Sequence, residues 1–403
     1  MCIADNSGVP DKFGFIHDAL KERKANNLFR RLRAVDPLND AEVNIEGKTV
    51  INFSSNDYLG FSKHPELKKR SIKYIKQYGT GSTASRLICG SMPFFDKIEA
   101  KLAELKGTEK TLVFNSGYQA NISILPALCD KKSLILSDSL NHNSLIQGML
   151  LSRCTVLKYQ HNDMAHLEAL LKESKGKRFS RVFIVTESVF SMDGDRSDID
   201  ALVNLADIYN AFLIVDEAHA TGVLGHRGMG LTCGKGVDLV IGTFGKACGS
   251  FGAYAACSKA LRQYLINRCS GVIFSTALPP SVIGAIDAAL DLIPGMEDER
   301  MELLQKSEHL RSSLYHMGWH TEKSTTQIIP VVVGDAERTI DVARFLEENG
   351  VLGVPIRPPT VPRESSRIRL SVTAAHSWAH LDRLIHVFMK LGKVNHKANS
   401  KSA

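Results

Sequence analysis

Short apolar runs alternate with amphipathic segments through the middle of the chain. The apolar runs cover residues 111–115, 133–136, 181–186, 211–216, 237–244 and 253–258. The segments between them carry apolar residues at helical spacing over residues 118–128, 142–152, 163–174 and 198–209. Continuous apolar runs are typical of strands that are buried on both faces of a parallel sheet. The alternation therefore predicts an α/β fold built on a mostly parallel sheet.

The pattern changes on both sides of this region. The N-terminal part holds a basic segment, DALKERKANNLFRRLR, that predicts a helix. After Pro279 and Pro280 the sequence predicts, in order, a long helical stretch, a helix over 336–349, the strand RIRLSVT and a last helix over 377–391. We therefore expect three units: an N-terminal arm (1–48), a large domain (49–285) and a smaller α+β domain (286–403).

Composition narrows the class of protein. The 403 residues are 44% hydrophobic and 23% charged, which is enough for a large core. No apolar run reaches the roughly 18 residues of a membrane span and no signal peptide pattern is present, so we expect no membrane contact and a cytoplasmic location. The eight cysteines are scattered, which predicts reduced thiols and no zinc site. The net charge of +7 comes from interleaved basic and acidic residues, so nucleic acid is not a favoured partner.

Polar and ionisable residues follow the predicted strands at the point where each strand ends. They are Ser116 to Tyr118, Asp138, Glu187 and Ser188, Asp216 to His219, and Thr243 with Lys246 close behind. In an open parallel sheet the carboxyl ends of the strands meet at one edge, where ligands bind. We expect these side chains to converge on a single site.

Asp216 and Lys246 indicate the chemistry of that site. Asp216 ends the apolar run AFLIV, where an unpaired carboxylate would cost several kcal/mol, so it needs a cationic partner. That partner is either a structural one, in a salt bridge or a helix cap, or a protonated ring nitrogen of bound pyridoxal 5'-phosphate (PLP). Lys246 lies among small or apolar residues in TFGKACGSFGAY, which favours a desolvated amine suited to Schiff-base formation over a surface lysine. Together with the hydroxyls of Thr243 and Ser250, the pattern favours a PLP site.

Two histidines accompany these residues. His219 follows Asp216 by three residues, and His142 lies in LNHNSL on the same side of the predicted sheet. One of them is expected to lie flat on an aromatic ring and the other to hydrogen-bond the phenolic oxygen of the cofactor. A zinc site is the rival explanation, but DEAHATG lacks the spacing of a metalloprotease helix, so we expect no metal.

The predicted phosphate site is the start of the helix that follows Ser116, Gly117 and Tyr118. Free backbone amides at a helix N-terminus bind anions. The stretch from Gly79 to Ala84 formally matches a dinucleotide fingerprint, but an amphipathic helical pattern precedes it instead of a strand. NAD is therefore excluded there.

A carboxylate site is predicted near the C-terminus. Arg357, Arg367 and Arg369 lie in or beside the segments IRPPTVP and RIRLSVT. Arg369 belongs to a short alternating strand, from which its guanidinium could hold a carboxylate through two hydrogen bonds.

At these residues the sequence resembles the α-oxoamine synthase family of PLP enzymes. The similarity runs in chain order through LFRRLR, FSSNDYLGFS, TGSTASRLICG, FNSGYQAN, LNHNSL, TESVFSMDGD, VDEAHATGVLG, TFGKACGSFGAY, FSTALPP, IRPPTVP and RIRLSVTAAH. The motifs cover nearly the whole chain. The resemblance implies a fold-type I PLP transferase, with a mostly parallel sheet in the large domain and a smaller α+β C-terminal domain.

The resemblance also implies catalytic and cofactor-binding roles. Lys246 would hold PLP covalently, Asp216 would pair with its pyridinium nitrogen, and His219 would contact its phenolic oxygen. His142 would stack on the ring, and Ser191 would lie beside the cofactor.

Further positions would bind the phosphate and the substrates. The residues implied at the phosphate and its surroundings are Gly117, Tyr118 and Thr243, with Ser275 and Thr276 from a second subunit. The residues implied at the amino-acid carboxylate are Asn56 and Arg369. The residues implied at the acyl thioester are Thr360 and Arg30, with Phe29 and Arg31 as adjacent alternatives to Arg30.

Within the family, the motifs around Lys246 and Arg369 are most similar to the branch that joins L-alanine to a pimeloyl thioester in biotin biosynthesis. The acyl group would arrive on CoA or on a carrier protein, CO2 and the free thiol would leave, and the enzyme would be a homodimer. Thr83 and Ala84 occupy positions where many members have glycine. Glycine with acetyl-CoA, or another amino acid and acyl donor, is therefore the alternative. A non-catalytic regulator with a PLP fold is the third hypothesis, against which the intact set of Lys246, Asp216 and His219 argues.

Overall fold

A computed structural model describes residues 12–177 and 179–399. The α-helices within them are α1 (Gly14–Ala25), α2 (Pro65–Tyr78), α3 (Pro93–Lys106), α4 (Gly117–Leu128), α5 (Asn143–Ser152), α6 (Met164–Ser174), α7 (Ile199–Tyr209), α8 (Lys259–Arg268), α9 (Ser270–Ile273), α10 (Pro280–Leu292), α11 (Glu297–His316), α12 (Ala336–Glu348) and α13 (Trp378–Asn399). The strands are β1 (Asp36–Pro37), β2 (Glu42–Ile45), β3 (Lys48–Asn52), β4 (Lys110–Phe114), β5 (Ser133–Asp138), β6 (Thr155–Tyr159), β7 (Arg181–Glu187), β8 (Phe212–Asp216), β9 (Leu239–Thr243), β10 (Ala253–Cys257), β11 (Ile328–Gly334), β12 (Val351–Leu352), β13 (Val354–Ile356) and β14 (Ser366–Ser371). The first eleven residues of the predicted arm, which include Cys2, lie outside the described residues.

A seven-stranded sheet forms the centre of the fold, in the order β4-β10-β9-β8-β7-β5-β6. Strand β10 runs antiparallel to β4 and β9, and the other pairs are parallel. All six apolar runs form strands of this sheet, so the predicted mostly parallel α/β architecture is confirmed.

Both faces of the central sheet are covered, which explains the continuous apolar runs. Ile214 packs in one hydrophobic cluster, whereas its neighbours Leu213 and Val215 pack in the cluster on the opposite face. Side chains alternate across a strand, so a strand between two such clusters must be apolar at every position. Helix α7 covers one face, and its Asp198 cap accepts a hydrogen bond from the backbone amide of Ala201.

Two smaller sheets lie outside the central one. Strands β11, β14 and β13 form an antiparallel sheet with β14 in the middle, and every residue of β14 is buried. The hairpin of β2 and β3 extends a second sheet, in which β3 pairs in parallel with β12 from the C-terminal part. The division of the chain at residues 48 and 285 stays a prediction.

The basic N-terminal helix is shorter than predicted. It ends at Ala25 instead of continuing through LFRRLR. Asn27 has a positive φ of 55°, a conformation that ends a helix and that asparagine tolerates better than most residues.

No helix within the described ranges is both long and apolar enough to cross a bilayer. The cytoplasmic location stays a prediction. The seven cysteines from Cys89 to Cys269 carry free thiols, as expected.

Candidate active site

The carboxyl ends of three neighbouring strands bring ionisable residues together. Strands β7, β8 and β9 end at Glu187, Asp216 and Thr243, and Glu187 lies opposite Asp216 in the ladder. Burial and the nearby charge of Asp216 raise the pKa of Glu187 well above its usual value. The chain continues from β9 directly into the loop that carries Lys246.

The carboxylate of Asp216 is buried and receives two hydrogen bonds. Its Oδ2 accepts from Nδ2 of Asn121 at 2.7 Å, and its Oδ1 accepts from the backbone amide of Ala218 at 2.8 Å. No described lysine, arginine or histidine forms an ion pair with it. A structural salt bridge therefore does not explain why this carboxylate is buried, and a cationic ligand group would complete its environment.

Lys246 faces an imidazole instead of an acid. Its Nζ lies 2.7 Å from Nε2 of His219. Burial lowers the pKa of Lys246 to about 8, although Asp216 and Glu187 attract its proton. An amine with such a pKa is available as a nucleophile and as a base near neutral pH.

His219 is held by contacts at both ring nitrogens. Burial, with repulsion from Lys246 and Arg369, lowers its pKa well below the usual value, so the neutral ring is favoured. With Lys246 donating to Nε2, the other nitrogen, Nδ1, carries the proton and donates to the hydroxyl of Tyr58 at 2.7 Å. The Tyr58 hydroxyl in turn donates to Oδ1 of Asn56 at 3.1 Å. These contacts fix one tautomer and one orientation of the imidazole.

His142 is tied to Asp216 through two buried polar residues. Its Nδ1 lies 2.7 Å from the hydroxyl of Ser144, which accepts from Nδ2 of Asn121 at 2.8 Å. The same amide of Asn121 donates to Asp216. The backbone amide of His142 donates to Oε1 of Glu187 at 2.6 Å. His142 is an exposed residue, which leaves it accessible to a ligand.

Arg369 is a buried cation without an acidic partner among the described residues. Its Nε donates to the backbone oxygen of Ser191 at 2.6 Å, and its terminal nitrogens donate to the hydroxyls of Ser371 at 2.9 Å and Tyr58 at 3.4 Å. It is 7% exposed. An unpaired guanidinium at this depth is suited to an anionic ligand group.

The start of α4 forms the opposite end of the site. Ser116 caps the helix and accepts from the backbone amide of Gln119, and a Cβ on Gly117 would lie 3.9 Å from Cβ of Thr243. Gln119 also donates to the hydroxyl of Ser275, and Asn115 donates to the backbone oxygen of Thr276 at 2.8 Å.

Ser275 and Thr276 therefore lie beside the start of α4 of their own chain. Tyr118 also lies there and is 49% exposed. The contribution of Ser275 and Thr276 to the site of a second subunit stays a prediction.

Arg30 and Thr360 lie further out, in a cavity of about 1090 Å³ between the N-terminal segment and the C-terminal sheet. A terminal nitrogen of Arg30 donates to the hydroxyl of Thr360 at 3.3 Å. Phe29 and Arg31 line the same cavity. A second cavity of about 940 Å³ is lined by Thr360 as well and reaches Asn141, next to His142.

Three polar residues at the core of this site have no role in the sequence prediction: Tyr58, Asn121 and Ser144. All three lie inside motifs that carry the resemblance, FSSNDYLGFS, FNSGYQAN and LNHNSL. The resemblance of those motifs could have drawn attention to the three residues, but only the structure shows that their side chains contact the site. Over the residues that the structure describes, no group of three or more His, Cys, Asp or Glu side chains could hold a metal ion.

Comparison with known proteins places this arrangement in a family. The family model described as aminotransferase class I and II matches residues 48–388. The 8-amino-7-oxononanoate synthase of Gluconacetobacter diazotrophicus is 48% identical over 92% of this chain and 95% of its own length.

Two solved structures are also similar over most of the chain. A serine palmitoyltransferase structure with PLP has a TM-score of 0.88 and 25% identity, and the match covers 95% of this chain and 99% of that one. The 8-amino-7-oxononanoate synthase of Francisella tularensis has a TM-score of 0.75 and 26% identity, over 86% of this chain and 99% of its own. These similarities confirm the predicted fold class and the resemblance of the sequence motifs to PLP enzymes. The chain therefore belongs to the aminotransferase class I and II family.

Proposed function

We propose that this protein joins L-alanine to a pimeloyl thioester to give 8-amino-7-oxononanoate. A bond forms between Cα of alanine and the thioester carbonyl carbon, the C–S bond breaks to release the thiol, and the alanine carboxyl group leaves as CO2. The extensive similarity to proteins named for this product supports the reaction. Loss of CO2 makes the overall reaction hard to reverse.

The residues of the site fit PLP. The cofactor offers an aldehyde, a basic ring nitrogen and a phosphate, and the protein offers an amine with a lowered pKa in Lys246, an unpaired buried carboxylate in Asp216 and the N-terminus of α4 at Gly117. His142 and His219 would lie against the ring and its phenolic oxygen. When bound, PLP withdraws electrons from the amino acid and so stabilises negative charge at Cα.

Lys246 is the base for the Cα proton of alanine. Its Nζ accepts this proton and later returns one to the product, which needs an amine that is partly neutral near pH 8. His219 holds that nitrogen at 2.7 Å, and Tyr58 fixes the imidazole from the other side. Asp216, which Asn121 holds in position, would pair with the ring nitrogen of the cofactor.

Arg369 and Asn56 orient the alanine carboxylate. Arg369 has no acidic partner among the described residues, and Tyr58 contacts both Arg369 and Asn56. Arg30 and Thr360 line the large outer cavity, whose volume suits an extended acyl chain on a thiol carrier. The carrier is CoA or a carrier protein.

We also propose a homodimer with the site near the subunit interface. Several large apolar side chains are exposed near the start of α4, among them Ile88 (79%), Phe274 (81%) and Phe251 (54%). Exposed apolar groups of this size are typical of interaction surfaces. The cytoplasm is the compartment that we expect for this reaction.

The alternative pair of glycine and acetyl-CoA rests on the loop at Thr83 and Ala84. Thr83 has a positive φ of 59°, a region that favours glycine, and the backbone oxygen of Ala84 accepts from Ala277 at 3.0 Å. These contacts lie beside the start of α4 and do not favour one acyl donor over another.

The proposal rests chiefly on one observation: Lys246, His219 and the unpaired Asp216 lie together at the carboxyl ends of the central strands. The test offers purified, PLP-saturated protein alanine or glycine with pimeloyl and acetyl thioesters, and measures CO2 and free thiol. We expect release of both from alanine with the pimeloyl thioester, and none from the Lys246→Ala variant. If glycine with acetyl-CoA is the one pair that reacts, the proposed substrates are wrong. If no pair reacts, the protein does not have the proposed enzymatic role.

A further inference from the structure

A charged bridge lies beside the active site, formed by residues to which the proposed reaction assigns no role. It includes Asp138, one of the strand-end residues that were expected to converge on the site. His161 follows strand β6 and contacts two aspartates. Its Nδ1 lies 2.9 Å from Oδ1 of Asp138, and its Nε2 lies 2.7 Å from Oδ2 of Asp195. The side chains of the two aspartates are 0% and 9% exposed.

His161 is a cation in this setting. Both ring nitrogens face carboxylate oxygens, and an imidazole can donate from both only when it is protonated. Burial alone lowers the pKa of His161, but its hydrogen bonds to Asp138 and Asp195 outweigh that effect and raise the pKa to about 10. The ring also packs edge-on against Phe190, with 4.3 Å between ring centroids.

The two aspartates belong to the segments that carry active-site residues. Asp138 ends β5, and its Oδ1 accepts from the backbone amide of Leu140 at 2.9 Å, inside the His142 loop (residues 139–142). Asp195 lies in the Ser191 loop (residues 188–198), which follows β7. The backbone oxygen of Ser191 in that loop accepts from Arg369.

Asn162 supplements the bridge with neutral hydrogen bonds. Its backbone amide donates to Oδ2 of Asp138 at 3.0 Å, and its side chain donates to Oδ2 of Asp195 at 2.8 Å. Oδ1 of Asp195 is buried and has no hydrogen-bond partner among the described residues. The charge of Asp195 is therefore balanced chiefly by His161, and a neutral side chain at position 161 would leave a buried, poorly solvated carboxylate.

We propose that His161 is a positioning residue: it ties the His142 loop to the Ser191 loop and thereby sets the positions of His142 and Arg369. Breaking the bridge frees both loops at once, because each is attached to the bridge through an aspartate. The consequence for alanine binding rests on the proposed function, whereas the consequence for loop mobility does not.

The test compares His161→Gln with His166→Gln in the PLP-saturated protein. His166 lies five residues further on and contacts the backbone amide of Gln160, but neither Asp138 nor Asp195. In His161→Gln we expect amide hydrogen exchange about tenfold faster in both loops, and a rise of about tenfold in the KM for alanine with a smaller change in kcat. His166→Gln should change neither.

A second variant separates positioning from folding. His161→Gln/Asp195→Asn removes one carboxylate together with the cation, so it should unfold close to the wild-type temperature while both loops still exchange faster. The proposal would be overturned if, in either variant, both loops exchanged their amide hydrogens at the wild-type rate. Faster exchange spread evenly over the chain would also overturn it. If the wild-type protein does not turn over alanine, the proposed function is wrong, and the exchange data still decide whether His161 holds the loops.

Discussion

Nζ of Lys246 lies 2.7 Å from Nε2 of His219, and no described acidic side chain forms an ion pair with this lysine. The amine is therefore kept partly neutral by its surroundings instead of being stabilised as a cation. Because the protonated amine is buried without an ion-pair partner among the described residues, Lys246 lowers the free energy of unfolding.

Replacing Lys246 by methionine should stabilise the PLP-free protein at pH 7. The folded state loses the lysine proton at about pH 8, whereas an unfolded lysine keeps it to about pH 10.4. Below pH 8 both states are protonated and the folded protein carries the full cost of a desolvated cation. The expected gain in the free energy of unfolding is about 1–3 kcal/mol, after allowance for the lost contact with His219.

The gain should shrink as the pH rises. Between these two pKa values the unfolded state binds more protons, so the wild-type protein gains stability with pH. Urea unfolding of both proteins at several pH values checks the sign, with Lys259→Met on the exposed start of α8 as the control. A lower stability of Lys246→Met at pH 7 would refute the lowered pKa.

Arg369→Lys should weaken alanine binding. A lysine cannot offer two parallel hydrogen bonds to a carboxylate, so we expect the KM for alanine to rise about tenfold or more. Steady-state kinetics at saturating pimeloyl thioester provide the measurement. Arg367→Lys is the matched control, because Arg367 lies on the same strand but is paired with Asp193. Equal effects of the two substitutions would remove Arg369 from the carboxylate site.

Tyr58→Phe should lower kcat. The substitution removes the hydroxyl that accepts from Nδ1 of His219, so the imidazole is no longer fixed in one tautomer. Loss of one buried hydrogen bond of about 1–1.5 kcal/mol corresponds to a decrease of about tenfold. Tyr254→Phe controls for the loss of a buried hydroxyl, because the Tyr254 hydroxyl contacts Thr221 and no residue of the proposed site. If kcat is the same in both variants, Tyr58 does not act through His219.

Lys106→Met should destabilise the fold without touching the site directly. Lys106 and Glu217 form an ion pair in which both side chains are 0% exposed. Removing one partner leaves a buried charge, and we expect a loss of about 3–5 kcal/mol. Lys106→Met/Glu217→Met should recover a large part of it, as measured by denaturant unfolding. A double variant no more stable than the single one would show that the buried charge is not the cause.

The strands of the central sheet were predictable where both faces are buried. Strand β8 is apolar from Phe212 to Val215 because hydrophobic clusters cover both sides of it. Strand β6 was missed because Thr155 and Lys158 are exposed and interrupt any continuous apolar run. The other edge strand, β4, was predicted because four of its five residues are buried. The sequence therefore predicts strands with continuous buried runs better than strands with exposed positions.

The candidate site was predictable in part for a similar reason. Asp216 ends one buried strand and Lys246 closely follows another, so their positions along the chain place both at the carboxyl ends of the strands. Asn121 and Ser144 lie on α4 and α5, and their contact depends on how those helices pack. His161 resembles any other polar loop residue until the structure brings Asp138 and Asp195 to its two nitrogens.

The proposed reaction requires PLP to be bound covalently to Lys246, with Asp216 facing its ring nitrogen. Borohydride reduction of the PLP-saturated protein, followed by peptide mapping, tests the covalent attachment most directly. We expect one pyridoxyl group, on the peptide that contains Lys246. A label on another lysine, or none, would contradict it.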